Sequence, residues 1–87
     1  MTIRFHRNFE KRFIKLPQKL REQFKKRRDI FLVNPYEPIL NNHPLRGAFH
    51  GYRSINITGD LRAIYKEVGG EMVEFVDIGT HHELFGS

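Results

Sequence analysis

The chain has 87 residues, enough for one domain over 1–87 with a modest core and no large cofactor pocket, because a chain this small buries only about 60% of its unfolded surface. A hydrophobic content of 39% with eight Phe excludes intrinsic disorder, and the lack of cysteine excludes disulfides, thiolate metal clusters and a thiol nucleophile. Charge is polarised: residues 1–28 hold eleven Lys or Arg against Glu10 and Glu22, whereas residues 29–87 hold four against eight acids, which points to a polyanionic partner such as nucleic acid.

The predicted elements begin with a short strand over Thr2–Phe5. Asn8 is a plausible N-cap, and Phe9, Phe13 and Leu16 at i, i+4, i+7 predict a first helix over about 8–16. Pro17 suits the opening of a second helix, in which Leu20, Phe24, Ile30 and Phe31 face inward and Lys25–Arg28 lie outside, ending near Val33. The Asn34-Pro35-Tyr36-Glu37-Pro38 run forbids continuation, and a loop follows to about Phe49.

From Tyr52 the period changes to two. Ile55 and Ile57 alternate with Ser54 and Asn56, Thr58-Gly59-Asp60 makes a turn, and Leu61, Ala63 and Tyr65 alternate with Arg62, Ile64 and Lys66. Gly69-Gly70 reverses the chain into a last strand over Met72–Gly79, with Met72, Val76 and Ile78 on one side and Val73 and Phe75 on the other, as an interior strand requires. The expected fold is therefore α+β in the order β-α-α-β-β-β, two helices covering one face of a small antiparallel sheet and leaving the other face open.

That open face carries the chemistry. If Leu61, Ala63 and Tyr65 face the helices, Arg62 and Lys66 point the other way and invite an anion. Gly79-Thr80-His81-His82-Glu83-Leu84-Phe85, a loop or short helix, adds imidazoles and a ring at the sheet's edge, while His43 and Asp60 are further candidate acids or bases. Against this stand plainer readings: Asp60 as a turn former, Arg62 paired with Glu74 across the hairpin, and His6 and His50 as structural residues. Without cysteine or an HExxH spacing, no metal and no cofactor are expected. No apolar run reaches 18 residues and the first residues lack an apolar signal core, so a cytoplasmic protein with no membrane partner is expected.

His43-Pro44-Leu45-Arg46-Gly47, Gly51-Tyr52-Arg53, Ile64-Tyr65-Lys66 and Gly79-Thr80-His81 with Leu84-Phe85-Gly86 together resemble the RelE/ParE toxin superfamily, and most closely its YafQ-like branch. The resemblance implies a toxin of a bacterial type II toxin–antitoxin pair that cuts mRNA in the ribosomal A site and is silenced by a cognate antitoxin protein. It makes His81 the catalytic histidine, His43 and Asp60 the other acid-base residues, Arg62 the phosphate clamp and Phe85 an aromatic ring near the site that binds substrate; Lys66, helping the clamp, and Arg46 are expected as further substrate-binding residues from the chain's own cations. Some YafQ-like members have a further histidine in the second strand, where this chain has Asn56. Two other functions share this fold: a ParE-like inhibitor of DNA gyrase, and a non-catalytic relic that binds only antitoxin or RNA.

Overall fold

A computed structural model describes residues 1–86. In chain order the elements are β1 (Thr2–Phe5), α1 (Arg7–Phe13), α2 (Gln18–Val33), β2 (His43–Pro44), β3 (Arg53–Asn56), β4 (Leu61–Gly69), β5 (Met72–Thr80) and α3 (His81–Phe85), with single 3₁₀ turns at Pro38–Leu40 and Gly47–Phe49. The α+β class and the two helices on one sheet face are as expected. The sheet is mixed rather than wholly antiparallel: its order is β1-β5-β4-β3-β2, and β1 runs parallel to β5 with Phe5 opposite Phe75.

Phenylalanine spacing explains the helix side. Phe9 of α1, Phe24 and Phe31 of α2, and Phe75 of β5 are all buried, and Phe75 has ring neighbours in Phe24 at 5.6 Å, Phe31 at 5.5 Å and Tyr65 at 5.5 Å. Ile55, Ile57, Leu61, Ala63, Val73 and Ile78 complete this core from the sheet. Burying one such ring is worth several kcal/mol, so truncating Phe75 to Ala would cost about 3–5 kcal/mol.

The helix ends differ from the sequence reading in one informative way. His6, not Asn8, caps α1: its Nδ1 accepts from the Asn8 backbone N–H at 3.0 Å, doing for an orphan amide what a hydroxyl or carboxylate usually does. At its other end α1 stops at Phe13 rather than near Leu16, where the Lys15 and Leu16 N–H groups close tighter turns onto the Arg12 and Phe13 carbonyls. α2 takes its start from the Pro17 carbonyl, which accepts from Leu20 and Arg21. Arg27 then ties α2 to the sheet side, its Nη1 donating to the Ile39 and Asn56 carbonyls at 3.0 Å each.

β5 holds the second correction. Ile64 pairs with Asp77 but Tyr65 pairs with Phe75, leaving Val76 as an extra residue in the ladder. With strict alternation Asp77 would share the core face with Val73 and Phe75. The bulge instead turns Ile78 inward, 1% exposed, and sends Asp77 to the opposite face. Met72 and Val76 are thus only partly buried, although β5 is an interior strand as expected. At the hairpin tip both Gly69 (φ 109°) and Gly70 (φ 56°) have positive φ, a region that side chains with a Cβ rarely enter.

The opposite face is not open along its whole length. Ile64 points there and is fully buried, outside the helix-side core, while Phe49 from the β2–β3 connection packs edge-on against Phe85 of α3 at 5.7 Å. β2, which the sequence reading placed within a loop, lies at the sheet edge with His43 opposite Ser54 and Pro44 opposite Arg53; an edge is where a proline without an N–H is tolerated.

Candidate functional site

Three stretches of chain meet at the start of β4 and the end of β5. The register places Arg62 across from Asn56 on one side and Gly79 on the other, and Leu61 across from Thr80, the N-cap of α3. The α3 start is fixed by a capping box: the Thr80 hydroxyl accepts from the Glu83 N–H at 3.1 Å, and the Glu83 carboxylate accepts from the Thr80 N–H at 2.8 Å. That N–H holds the Glu83 carboxyl below its ordinary range. Gly79 allows the close approach, since a Cβ there would stand 2.8 Å from Arg12 Nη1 and 3.3 Å from Glu83 Cβ. His81 and Phe85 are thereby set on the first and last positions of α3, rings 4.9 Å apart.

The other wall is the segment before β3. Asn42 acts as its peg: the amide donates to the Pro35 carbonyl at 2.9 Å and the Tyr65 hydroxyl at 2.8 Å, and its oxygen accepts from Arg53 Nε at 2.7 Å. Burial raises the Tyr65 phenol above its ordinary value, with the Asn42 bond acting against it. Asn41 next to it adopts the left-handed conformation, φ 45°, which asparagine enters more readily than most residues. This turns the Asn41 carbonyl onto the next ring, 2.8 Å from His43 Nδ1.

Between these walls lies a cavity of roughly 410 Å³ lined by His43, Arg46, Arg62, His81 and Phe85, together with Asn41, Leu45 and Ser54. Five of the seven residues expected from the sequence are therefore brought together. Two are not. Asp60 is exposed in the β3–β4 turn, where its N–H reaches the Thr58 hydroxyl at 3.3 Å, and it does not line the cavity. Lys66 shares the face of Arg62 but sits four residues further along β4, about 13 Å away at strand rise; it stands near Glu74 at 3.9 Å and lines a second cavity. The Arg62–Glu74 pair is not formed either: Glu74 binds Arg4 at 3.0 Å, and Arg62 Nη1 donates to Asn56 Oδ1 at 2.7 Å while Nη2 donates to the Gly59 carbonyl at 3.2 Å.

Two features of this cavity escaped the sequence reading. Ser54 Oγ and Arg62 Nε are buried without a hydrogen-bond partner among the described residues, so the cavity wall holds desolvated polar groups that most folded proteins would satisfy. Asn41 fixes a tautomer: a carbonyl only accepts, so His43 Nδ1 carries the proton and the neutral ring leaves a lone pair on Nε2. The only sequence signal for either was the Asn-Asn pair before His43. Chemically, the arrangement offers a lone-pair imidazole, a second imidazole, and two guanidinium groups around one space.

The family model for the bacterial toxin of the type II toxin–antitoxin system, YafQ, matches residues 1–86. Among curated proteins the chain is 33% identical over 78 residues to the mRNA interferase toxin YafQ of Escherichia coli K12, covering 84% of each. Among solved structures it is similar to YafQ from E. coli BL21(DE3), with a TM-score of 0.78, 29% identity and 97% of each chain covered. It is also similar to a chain of the E. coli DinJ–YafQ toxin–antitoxin complex, with a TM-score of 0.71, 31% identity, and 97% of this chain and 96% of that one covered. The chain belongs to the YafQ family of bacterial toxins of type II toxin–antitoxin systems.

Proposed function

We propose that this member of the YafQ family is an endoribonuclease that cuts mRNA on the ribosome by acid-base catalysis and is held inactive by a cognate antitoxin protein. The observation that carries the reading is the single cavity holding His43, with its tautomer set by Asn41, opposite His81 on α3, with Arg62 and Arg46 on its walls. The E. coli relative named as an mRNA interferase and the toxin–antitoxin complex support the substrate class and the partner.

RNA supplies its own nucleophile. His43 Nε2 takes the proton from the 2′-hydroxyl beside the scissile phosphate, and the freed oxygen attacks phosphorus. The bond from phosphorus to the 5′-oxygen breaks, and that oxygen takes a proton from the His81 imidazolium, leaving a 2′,3′-cyclic phosphate and a 5′-hydroxyl. Arg62 faces the charge that builds on the phosphoryl oxygens, and because Asn56 and Gly59 already hold its two terminal nitrogens, little reorganisation is needed when substrate arrives. Asn56 thus acts as a positioning residue in this chain, where some relatives have an imidazole. Phe85 offers a stacking face for a base, and Arg46, exposed at the rim, a second phosphate contact. Asp60, outside the cavity, acts at most through the field at the Arg62 end of β4.

α1 and α2 supply the ribosomal contact. Arg4, Arg12, Arg21 and Arg27 are spent on contacts within the fold, and Lys19, Lys25 and Lys26 remain exposed for rRNA phosphates. Among the described residues no helix is long and apolar enough to cross a membrane.

Mapping mRNA ends in a purified translation system tests the reading, with a DNA supercoiling assay beside it. New 5′-hydroxyl ends within translated codons for the wild type and none for His81→Gln are expected. Unbroken mRNA together with inhibited gyrase would replace this reading by the ParE-like one.

A further inference from the structure

A row of rings leads out of the catalytic cavity. His81 lies against Phe85, Phe85 meets Phe49 edge-on at 5.7 Å, and Phe49 meets Tyr52 at 6.1 Å with an interplanar angle of 89°. Beyond Phe49 is a second cavity of roughly 270 Å³, walled by Phe49, Tyr52, Lys66, Asp77, Asn8 and His6. The Lys66 ammonium stands over the Tyr52 ring at 5.6 Å. The β5 bulge delivers Asp77 here rather than to the core, and Arg12 and the Ile78 N–H hold its Oδ1 at 3.4 and 2.9 Å. Burial pushes the Asp77 carboxyl above its ordinary value, Arg12 and Ile78 opposing that shift.

Each group matches a part of one nucleotide: a ring for the π-face of a base, a cation for phosphate, and a carboxylate and an amide for a base edge. Arg62 and Lys66, two cations that β4 itself places on this face, are separated by about 13 Å along the strand, so a strand clamped at Arg62 passes over Phe85 and Phe49 to reach Lys66. We propose that this second cavity is a subsite for a single-stranded RNA nucleotide flanking the cleaved linkage, stacked on the Tyr52 ring with its edge against Phe49, its phosphate at Lys66 and its base edge read by Asp77 and Asn8. This rests on the nuclease reading above. An ionised carboxylate only accepts, so Asp77 favours adenine, cytosine or guanine, whose projecting exocyclic amino groups donate, over uracil, whose one base-edge donor is the N3–H set between two carbonyl oxygens that a carboxylate repels.

The test is cleavage of a ribosome-bound reporter mRNA set randomised at the codon cut and its neighbours, with the full-length wild type, Tyr52→Ala, Lys66→Met and Asp77→Asn, each first checked for a cooperative melting transition well above the assay temperature. Tyr52→Ala should lower kcat/KM about tenfold or more, as loss of one base–ring stack does. Lys66→Met should raise KM, and Asp77→Asn should flatten a preference against uracil at one flanking position. Should Tyr52→Ala not fold, Lys66→Met and Asp77→Asn decide the matter. Unchanged kcat/KM and unchanged base preference in folded variants beside an active wild type would overturn the subsite alone; a wild type that cuts no mRNA would overturn the nuclease reading beneath it.

Discussion

Replacing Asn56 by Ala separates positioning from direct chemistry. Asn56 Oδ1 receives a 2.7 Å hydrogen bond from Arg62 Nη1, and among the described residues the Gly59 carbonyl at 3.2 Å would still hold the guanidinium. A hydrogen bond to a charged group contributes about 1.5–3 kcal/mol when buried; Arg62 is partly exposed, which discounts it to about 1 kcal/mol. For a domain of this size that is a fall in Tm of about 4–8 °C. The fold survives, because Arg27 binds the Asn56 main-chain carbonyl, which the substitution keeps. Freeing the guanidinium makes the transition state bear the entropy of ordering it, about 1 kcal/mol of the side chain's ~2 kcal/mol, so single-turnover kcat/KM on ribosome-bound mRNA should drop about five- to tenfold. Arg62→Ala, which removes the clamp, should cost about 10²–10³. The decisive assay is the double-mutant cycle: in an Arg62→Ala background, Asn56→Ala should change nothing further. An equal loss in both backgrounds would mean that Asn56 does not work through Arg62.

Arg27→Met should lower stability by about 2 kcal/mol in denaturant titration, since two carbonyls lose a charged donor, whereas exposed Lys26→Ala should stay within about 0.5 kcal/mol. Thr80→Ala removes the acceptor for the Glu83 N–H and should cost about 1 kcal/mol, with faster amide exchange confined to α3 and weaker cleavage because His81 and Phe85 ride on it. Two carboxyls should tilt stability with pH in opposite senses. The fold holds the Asp77 proton more tightly than the unfolded chain does, so Asp77 costs stability as pH rises from its ordinary value of 3.8 through its raised folded value, and Asp77→Asn gains on the wild type over that window. Glu83 stabilises the fold above its ordinary value of 4.5 and loses that contribution as pH falls through its lowered folded value, so Glu83→Gln falls behind the wild type as pH rises. Melting curves from about pH 3 to pH 6 read both.

The helices and hairpins were legible because their signals are local. Phenylalanines at helical spacing, Pro17, the Pro35–Pro38 run and the glycine pair each fix an element without knowledge of the rest. What the chain hides is long-range. β1 pairs parallel with β5 across some seventy residues, and no periodicity announces that. The bulge at Val76 depends on keeping Asp77 out of a core made by other segments. For the site, the two-residue period placed Arg62 and Lys66 on the correct face but carried no information about distance along it, so the two went to different cavities. Asp60, read as a base, lies in a turn facing water. Asn41, Ser54 and Phe49 were missed because a carbonyl direction, a desolvated hydroxyl and a ring bridge exist only in three dimensions.

The claim that His43 and His81 act as base and acid on one linkage is met most directly by the pH dependence of single-turnover mRNA cleavage in the wild type, His43→Gln and His81→Gln. A bell is expected for the wild type, with the rising limb lost in the His43 variant and the falling limb lost in the His81 variant, each on a residual rate lowered about 10²–10⁴-fold. Full wild-type rates in either variant, or both limbs kept in both, would contradict it.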